Sequence, residues 1–192
     1  MESSMTHTVR SQDMTTFVLG GGCFWCIDAV FRRIEGVTLV ESGYANGQDD
    51  RTPDYYRVAS GRTGFAEVVR VTFDETLISA DIILDIFFLI HDPTTLNRQG
   101  ADVGTQYRSC LLYGDEQQKQ IFEAAITRAQ SIWDDAITTE IEPLDQWFTA
   151  EDEHQDFFSK QPSSGYCSIV IMPKIIKARA KYSQWFKKED VS

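Results

Sequence analysis

The chain has 192 residues, about the length of one domain, with 42% apolar and 24% charged side chains. That balance is ordinary for a globular protein and excludes wholesale disorder, collagen-like structure and a disulfide scaffold. Eighteen basic against 29 acidic side chains give a net charge of −11, which disfavours binding to a phosphate backbone. The longest apolar stretch, residues 82–90, is broken by Asp85 and falls far short of the roughly 20 residues that span a bilayer. Residues 1–14 lack the apolar centre of a secretory signal. The expectation is a cytoplasmic protein with a mobile tail over residues 1–15 and one folded domain over 16–192. In that compartment Cys23, Cys26, Cys110 and Cys167 stay reduced.

In chain order, residues 16–19 read as a buried strand closed by Gly20, Gly21 and Gly22. Ile27, Val30, Phe31 and Ile34 recur at i, i+3, i+4 and i+7, which predicts an amphipathic helix ended by Gly36. A strand is expected at 37–44, a turn-rich stretch at 45–53 and an alternating strand at 68–73. Ser79 can cap a helix over 80–91, stopped by Asp92 and Pro93. Residues 91–104 carry no apolar period, and irregular segments of that length tend to be functional. A strand at 107–113, a helix at 115–133, a strand at 137–141, a short helix at 151–159 and a basic helix at 173–186 complete the reading. The middle strands look half-exposed. That predicts an α+β fold, a mixed sheet with packed helices, over a doubly wound parallel sheet.

The chemistry concentrates at residues 20–26, Gly-Gly-Gly-Cys-Phe-Trp-Cys. Three glycines permit a sharp strand-to-helix turn that puts Cys23 at the helix N-terminus. Unpaired N–H groups and the helix dipole there favour a thiolate, so a lowered pKa and strong nucleophilicity are expected. Cys26 lies on the same helix face, three residues on. Both cysteines could instead be small buried hydrophobes. A zinc site is disfavoured because Cys110 and Cys167 stand apart, and His7, His91 and His154 form no metal motif. Phe24 and Trp25 are either core or the wall of a pocket for a small methyl or thioether group. Glu67 precedes an apolar strand, where partial desolvation would keep a carboxyl protonated as a general acid; a solvated strand-end glutamate is the plainer reading. Tyr55, Tyr107 and Asp102 can supply hydrogen bonds. His154, within Glu151-Asp152-Glu153-His154, reads as a surface histidine.

These motifs resemble the A-class peptide methionine sulfoxide reductases, in a C-F-W-C subgroup. The likeness runs through Gly22-Cys23-Phe24-Trp25, Ser42-Gly43-Tyr44, Thr63-Gly64-Phe65-Ala66-Glu67, His91-Asp92-Pro93-Thr94-Thr95, residues 99–109, residues 150–155 and Gly165-Tyr166-Cys167. It implies a two-layer α/β domain with ferredoxin-like elements. It also implies reduction of the S epimer of methionine sulfoxide, free or in proteins, with thioredoxin as the usual reductant and no metal or organic cofactor. Carried over, Cys23 attacks the sulfoxide sulfur and Glu67 protonates its oxygen. Tyr55 and Tyr107 hydrogen-bond that oxygen, Asp102 holds substrate or water, and Phe24 and Trp25 wall the methyl pocket. Cys167 aligns with a recycling cysteine, so it and Cys26 are both candidates to resolve oxidised Cys23. Cys26 is expected to act first, because the helix fixes it nearby, with Cys167 swinging in from the Gly/Ser-rich residues 162–165. Cys110 reads as core. Two rivals remain: a thioredoxin-like dithiol oxidoreductase using Cys23 and Cys26 alone, and a zinc-binding module.

Overall fold

A computed structural model describes residues 13–188. The tail expected over 1–15 lies outside the described residues as far as residue 12; Met14 and Thr15 already belong to the first strand. A six-stranded sheet has the order β7-β6-β1-β3-β2-β8. Its strands are β1 (Met14–Gly20), β2 (Val37–Ala45), β3 (Ala66–Asp74), β6 (Cys110–Tyr113), β7 (Glu140–Pro143) and β8 (Trp147–Thr149), with β4 (Arg98–Gln99) and β5 (Asp102–Val103) forming a separate hairpin. Every pairing in the large sheet is antiparallel except β6 with β7. The mixed sheet and α+β class read from the sequence are therefore present.

Strand alternation divides the core. Phe17 and Leu19 of β1 and Val69, Val71 and Phe73 of β3 face the main cluster. They meet α1 (Phe24–Phe31), α3 (Ala80–Ile90), α4 (Glu116–Gln130) and α6 (Met172–Tyr182). Val18, Val68 and Cys110 face the opposite side and form a smaller cluster with Ala45, Ala66 and Leu112. Cys110 is core, as read, and so tight that a Cβ on Gly20 would lie 2.6 Å from its Sγ. Helix starts follow their caps: Ser79 accepts from the Ile82 N–H and Asp115 from the Gln118 N–H, each satisfying a donor the helix leaves unpaired.

Several boundaries differ from the expectation. Helix α1 stops at Phe31, and Gly36 (φ +83°) turns the chain five residues later. The strand expected at 107–113 begins at Cys110, because residues 105–107 wind into a 3-10 turn. The sequence reading missed α2 (Tyr55–Ala59), capped by Asp54, and β8. The helix expected at 151–159 is a 3-10 turn at 152–154 followed by α5 (Phe157–Lys160). Gln155, between them, pairs its side chain with the edge of β2: it accepts from the Ser42 N–H at 2.8 Å and donates to the Ser42 carbonyl at 2.9 Å. Among the described residues no helix is long and apolar enough to cross a membrane.

Candidate active site

The glycine turn ends β1 beneath a lid made by residues 91–104. Gly22 has φ +93° and lies so close to Gln99 that an added Cβ would sit 2.6 Å from that side chain. Gln99 and Asp92 exchange two hydrogen bonds, at 3.0 and 2.9 Å, which fix the lid. Beneath Gly21 lies His91, buried and held by the Phe87 carbonyl at 2.6 Å and the Ser109 hydroxyl at 2.8 Å. Burial lowers the His91 pKa to about 3, so the ring is neutral.

This turn delivers Cys23 to the N-cap of α1 and Cys26 to its third residue. Both thiols are buried. Glu67, on β3 opposite Tyr44 of β2, is 1% exposed, and its Oε2 accepts the Phe24 N–H at 3.1 Å. The carboxyl thus takes one of the donors that a helix start leaves open. Desolvation outweighs that bond and raises the Glu67 pKa to about 8, so the group carries a proton at neutrality. The Cys23 thiol lies within electrostatic reach of it.

The expected lowering of the Cys23 pKa is not found. Burial first, then the neighbouring Glu67 and Cys26, push the thiol well above its ordinary value. A helix N-terminus stabilises a thiolate by roughly 1 kcal/mol, whereas removing a charge from water costs several. Cys23 is therefore held as a protonated thiol.

Aromatic rings build the wall. Trp25 stacks on Phe157 with centroids 3.7 Å apart and meets Tyr166 edge-on at 5.6 Å. Its other neighbours are Tyr55, at 6.1 Å, and His154, at 5.7 Å. Trp25 is partly exposed, whereas Phe24 is fully buried between Tyr44 and His154. The surface position expected of His154 is wrong. It is 5% exposed, stacks on Tyr55 at 4.3 Å, and its Nδ1 accepts the Trp25 indole N–H at 3.1 Å. That bond places the imidazole proton on Nε2, which faces the Glu151 carboxylate at 3.3 Å. Tyr44 also donates to Glu151, at 3.2 Å.

Tyr55 opens α2, and Tyr107 ends the 3-10 turn after β5. Both are half-buried hydroxyls within electrostatic reach of Cys23, Glu67 and Asp102. Asp102 accepts from Tyr166 at 2.9 Å, and the Tyr166 hydroxyl lies 3.8 Å from the Cys26 sulfur. Sequence reasoning placed none of Tyr166, His154 and Phe157 in the candidate site. Their signal was local: Tyr166 adjoins a candidate cysteine, and the aromatic pair Phe157-Phe158 follows His154.

Cys167 departs from expectation. It is fully buried and opens a π-helical stretch, Cys167–Ile171, that runs straight into α6. It is not on a loose segment in this reduced state; the turn at residues 162–163 ends before it. π-turns inside helices recur at functional sites. Among the described residues, Glu151, Glu153 and His154 could approach one metal ion; the His154 Nδ1 is taken by the Trp25 indole, and its Nε2 makes no hydrogen bond.

A buried thiol beside a carboxyl that is protonated at neutrality suits thiol-dependent reduction of an oxygen-bearing centre, and comparison with known proteins makes the class particular. Residues 15–188 match the family Peptide methionine sulfoxide reductase, and the chain belongs to it. It is 58% identical over 172 residues to peptide methionine sulfoxide reductase MsrA of Pseudarthrobacter chlorophenolicus, covering 90% of this chain and 98% of that one. Reduced Mxr1 of Saccharomyces cerevisiae superposes with a TM-score of 0.75 at 34% identity, covering 86% of this chain and 96% of that one. Mxr1 in complex with Trx2 superposes at 0.53 and 26% identity, covering 80% and 91%.

Proposed function

We propose that this chain reduces methionine-S-sulfoxide, free or in proteins, through Cys23, with Glu67 as the acid. The observation that carries this is the buried Glu67 carboxyl, protonated at neutrality, tied to the Phe24 N–H next to Cys23 and within electrostatic reach of its thiol. As the sulfoxide oxygen takes the Glu67 proton, the substrate sulfur becomes electrophilic. Cys23 attacks it and passes its own proton back to Glu67. The hydroxyl then passes from the substrate sulfur to the Cys23 sulfur as the sulfur–sulfur bond breaks; methionine leaves with that electron pair, and Cys23 becomes a sulfenic acid. Tyr55 and Tyr107 orient the oxygen, Asp102 holds substrate or water, and Trp25, backed by buried Phe24, receives the methyl group. No step calls on a metal or organic cofactor.

Cys26 closes on oxidised Cys23 first, because α1 holds it within one turn. An i, i+3 pair meets the roughly 4.4–6.8 Å Cα separation of a disulfide. Cys167 then exchanges with Cys26 and presents a disulfide to thioredoxin; the complex of Mxr1 with Trx2 supports that reductant. The Cys167 step requires the π-helical stretch to open. The reading extends to a cytoplasmic enzyme whose catalytic domain is residues 16–192. Its strand order β6-β1-β3-β2, with α1 and α3 as connections, supports the ferredoxin-like description. Turnover on separated R and S sulfoxides with dithiothreitol tests the function: the S epimer alone is consumed, and equal use of both would overturn it.

A further inference from the structure

One hydroxyl joins the Cys26 sulfur to a carboxylate. Tyr166 donates to Asp102 Oδ2 at 2.9 Å and lies 3.8 Å from Cys26 Sγ, with Cys23 also within its electrostatic reach. The phenol is held in place by its edge-on contact with Trp25. We propose that Tyr166, backed by Asp102, is the base that takes the Cys26 proton when Cys26 closes on oxidised Cys23. The inference rests on Cys26 being the first resolving cysteine.

The need for a base follows from the surroundings of Cys26. It is 3% exposed and faces Cys23, Tyr166, Glu67 from β3, Asp102 from β5 and Lys174 from α6. Burial outweighs the help from Lys174 and holds its pKa at about 11, so only roughly one molecule in 10⁴ carries the attacking thiolate at pH 7. Glu67 cannot accept the proton, since it already holds one up to about pH 8. Asp102 is out of the sheet on its own short hairpin, with Tyr166 between it and Cys26.

The step balances. The Cys26 proton moves to Tyr166 as the Tyr166 proton moves to Asp102. The Cys26 sulfur then attacks the Cys23 sulfur, forming the S–S bond and breaking the S–O bond. The departing hydroxide takes the proton back from Asp102 through Tyr166 and leaves as water. Cys23 sulfenic acid and the Cys26 thiol become a disulfide and one water, and methionine sulfoxide is the oxidant of the preceding step.

The test follows the sulfenic acid directly. Full-length reduced enzyme is mixed with one equivalent of methionine-S-sulfoxide and no reductant, then quenched at intervals with dimedone. Mass spectrometry counts labelled Cys23 and the Cys23–Cys26 peptide. In Tyr166→Phe the sulfenic acid should survive about 10²-fold longer, in line with the loss of one acid–base group. Its disappearance should also quicken about tenfold per pH unit between pH 7 and 10, because hydroxide must replace the relay, whereas the wild-type rate stays nearly flat. Asp102→Asn, which still accepts the Tyr166 hydrogen bond but cannot take its proton, should show the same slowing. It serves alone if Tyr166→Phe fails to fold by urea denaturation. Cys26→Ser separates the two layers. If its sulfenic acid clears at the wild-type rate, Cys26 is not the resolver and the relay falls with it. If it persists there while Tyr166→Phe or Asp102→Asn clears at the wild-type rate and pH dependence, the relay is overturned and Cys26 keeps its role.

Discussion

Replacing Glu67 by glutamine should make the protein more stable and much less active. The side chain keeps its shape, and the amide oxygen can still accept the Phe24 N–H that Oε2 accepts at 3.1 Å. What disappears is a carboxyl whose pKa is raised from 4.5 to about 8, chiefly by burial. A raised carboxyl pKa means that the folded state holds its proton more tightly than the unfolded chain. The stability linked to that proton is complete below pH 4.5 and is lost as pH rises through about 8. At about 1.4 kcal/mol per pH unit, the loss reaches about 3 kcal/mol at pH 7 and about 5 kcal/mol above pH 8. The substituted amide does not titrate and escapes it. Urea unfolding at pH 4, 7 and 9 should therefore give equal stabilities at the acid end and a growing advantage for Glu67→Gln. Turnover of methionine-S-sulfoxide should meanwhile fall by about 10² to 10⁴, the usual worth of general acid catalysis. Parallel stability curves for the two proteins would refute a buried neutral carboxyl, and turnover within twofold would refute the acid.

Cys23→Ser should abolish turnover, and iodoacetamide labelling of wild-type Cys23 should show a midpoint above the ordinary thiol value of about 8.5; a midpoint below it would restore the thiolate nucleophile. Cys167→Ser should reduce one equivalent of substrate and form Cys23–Cys26 but lose thioredoxin-driven turnover, as peptide mapping will read; a Cys23–Cys167 bridge forming at full rate in Cys26→Ser would reverse the order. His91, lowered from 6.5 to about 3 by burial, should make the fold lose stability as pH falls from 6.5, a limb that acid titration of His91→Gln should lack. His154→Leu strands the Trp25 indole N–H at a cost of about 1–3 kcal/mol, and a rise in KM larger than the fall in kcat would place that cost in substrate binding.

The elements legible in the sequence were those whose local signals agree. Helices α3 and α4 carry both an apolar period and a capping Ser79 or Asp115, and β3 alternates cleanly between two cores. Strand β8 is three residues at an edge, and α2 five residues with one cap, too short for any period to register. The site was legible at Gly20–Gly21–Gly22 and Cys23, because the turn and the thiol are encoded side by side. Two errors share one cause. His154 among acidic neighbours and Cys23 at a helix start were read from their sequence surroundings, whereas packing decides both. Tyr55, Trp25 and Phe24 bury the histidine, and that burial is encoded by residues up to 130 positions away. Cys167 was read as loose from the Gly and Ser before it, although the helix that follows it sets its conformation.

Gln155 has a consequence for association between molecules. Beside Ser42, where β8 leaves β2, the strand N–H would otherwise be unpaired, while the carbonyl already accepts from the Ala150 N–H at 2.9 Å. Such a stretch is a template onto which a strand from another chain can add. The Gln155 amide occupies that N–H and shares the carbonyl, and its Nε2 also reaches the Ala150 carbonyl at 3.1 Å. Because the next residue back is His154, one segment both shields the edge from intermolecular strand addition and holds the indole wall. Damage that detaches this segment would expose an aggregation-prone edge in the same event that silences the enzyme, so inactive molecules would be removed from solution rather than accumulate.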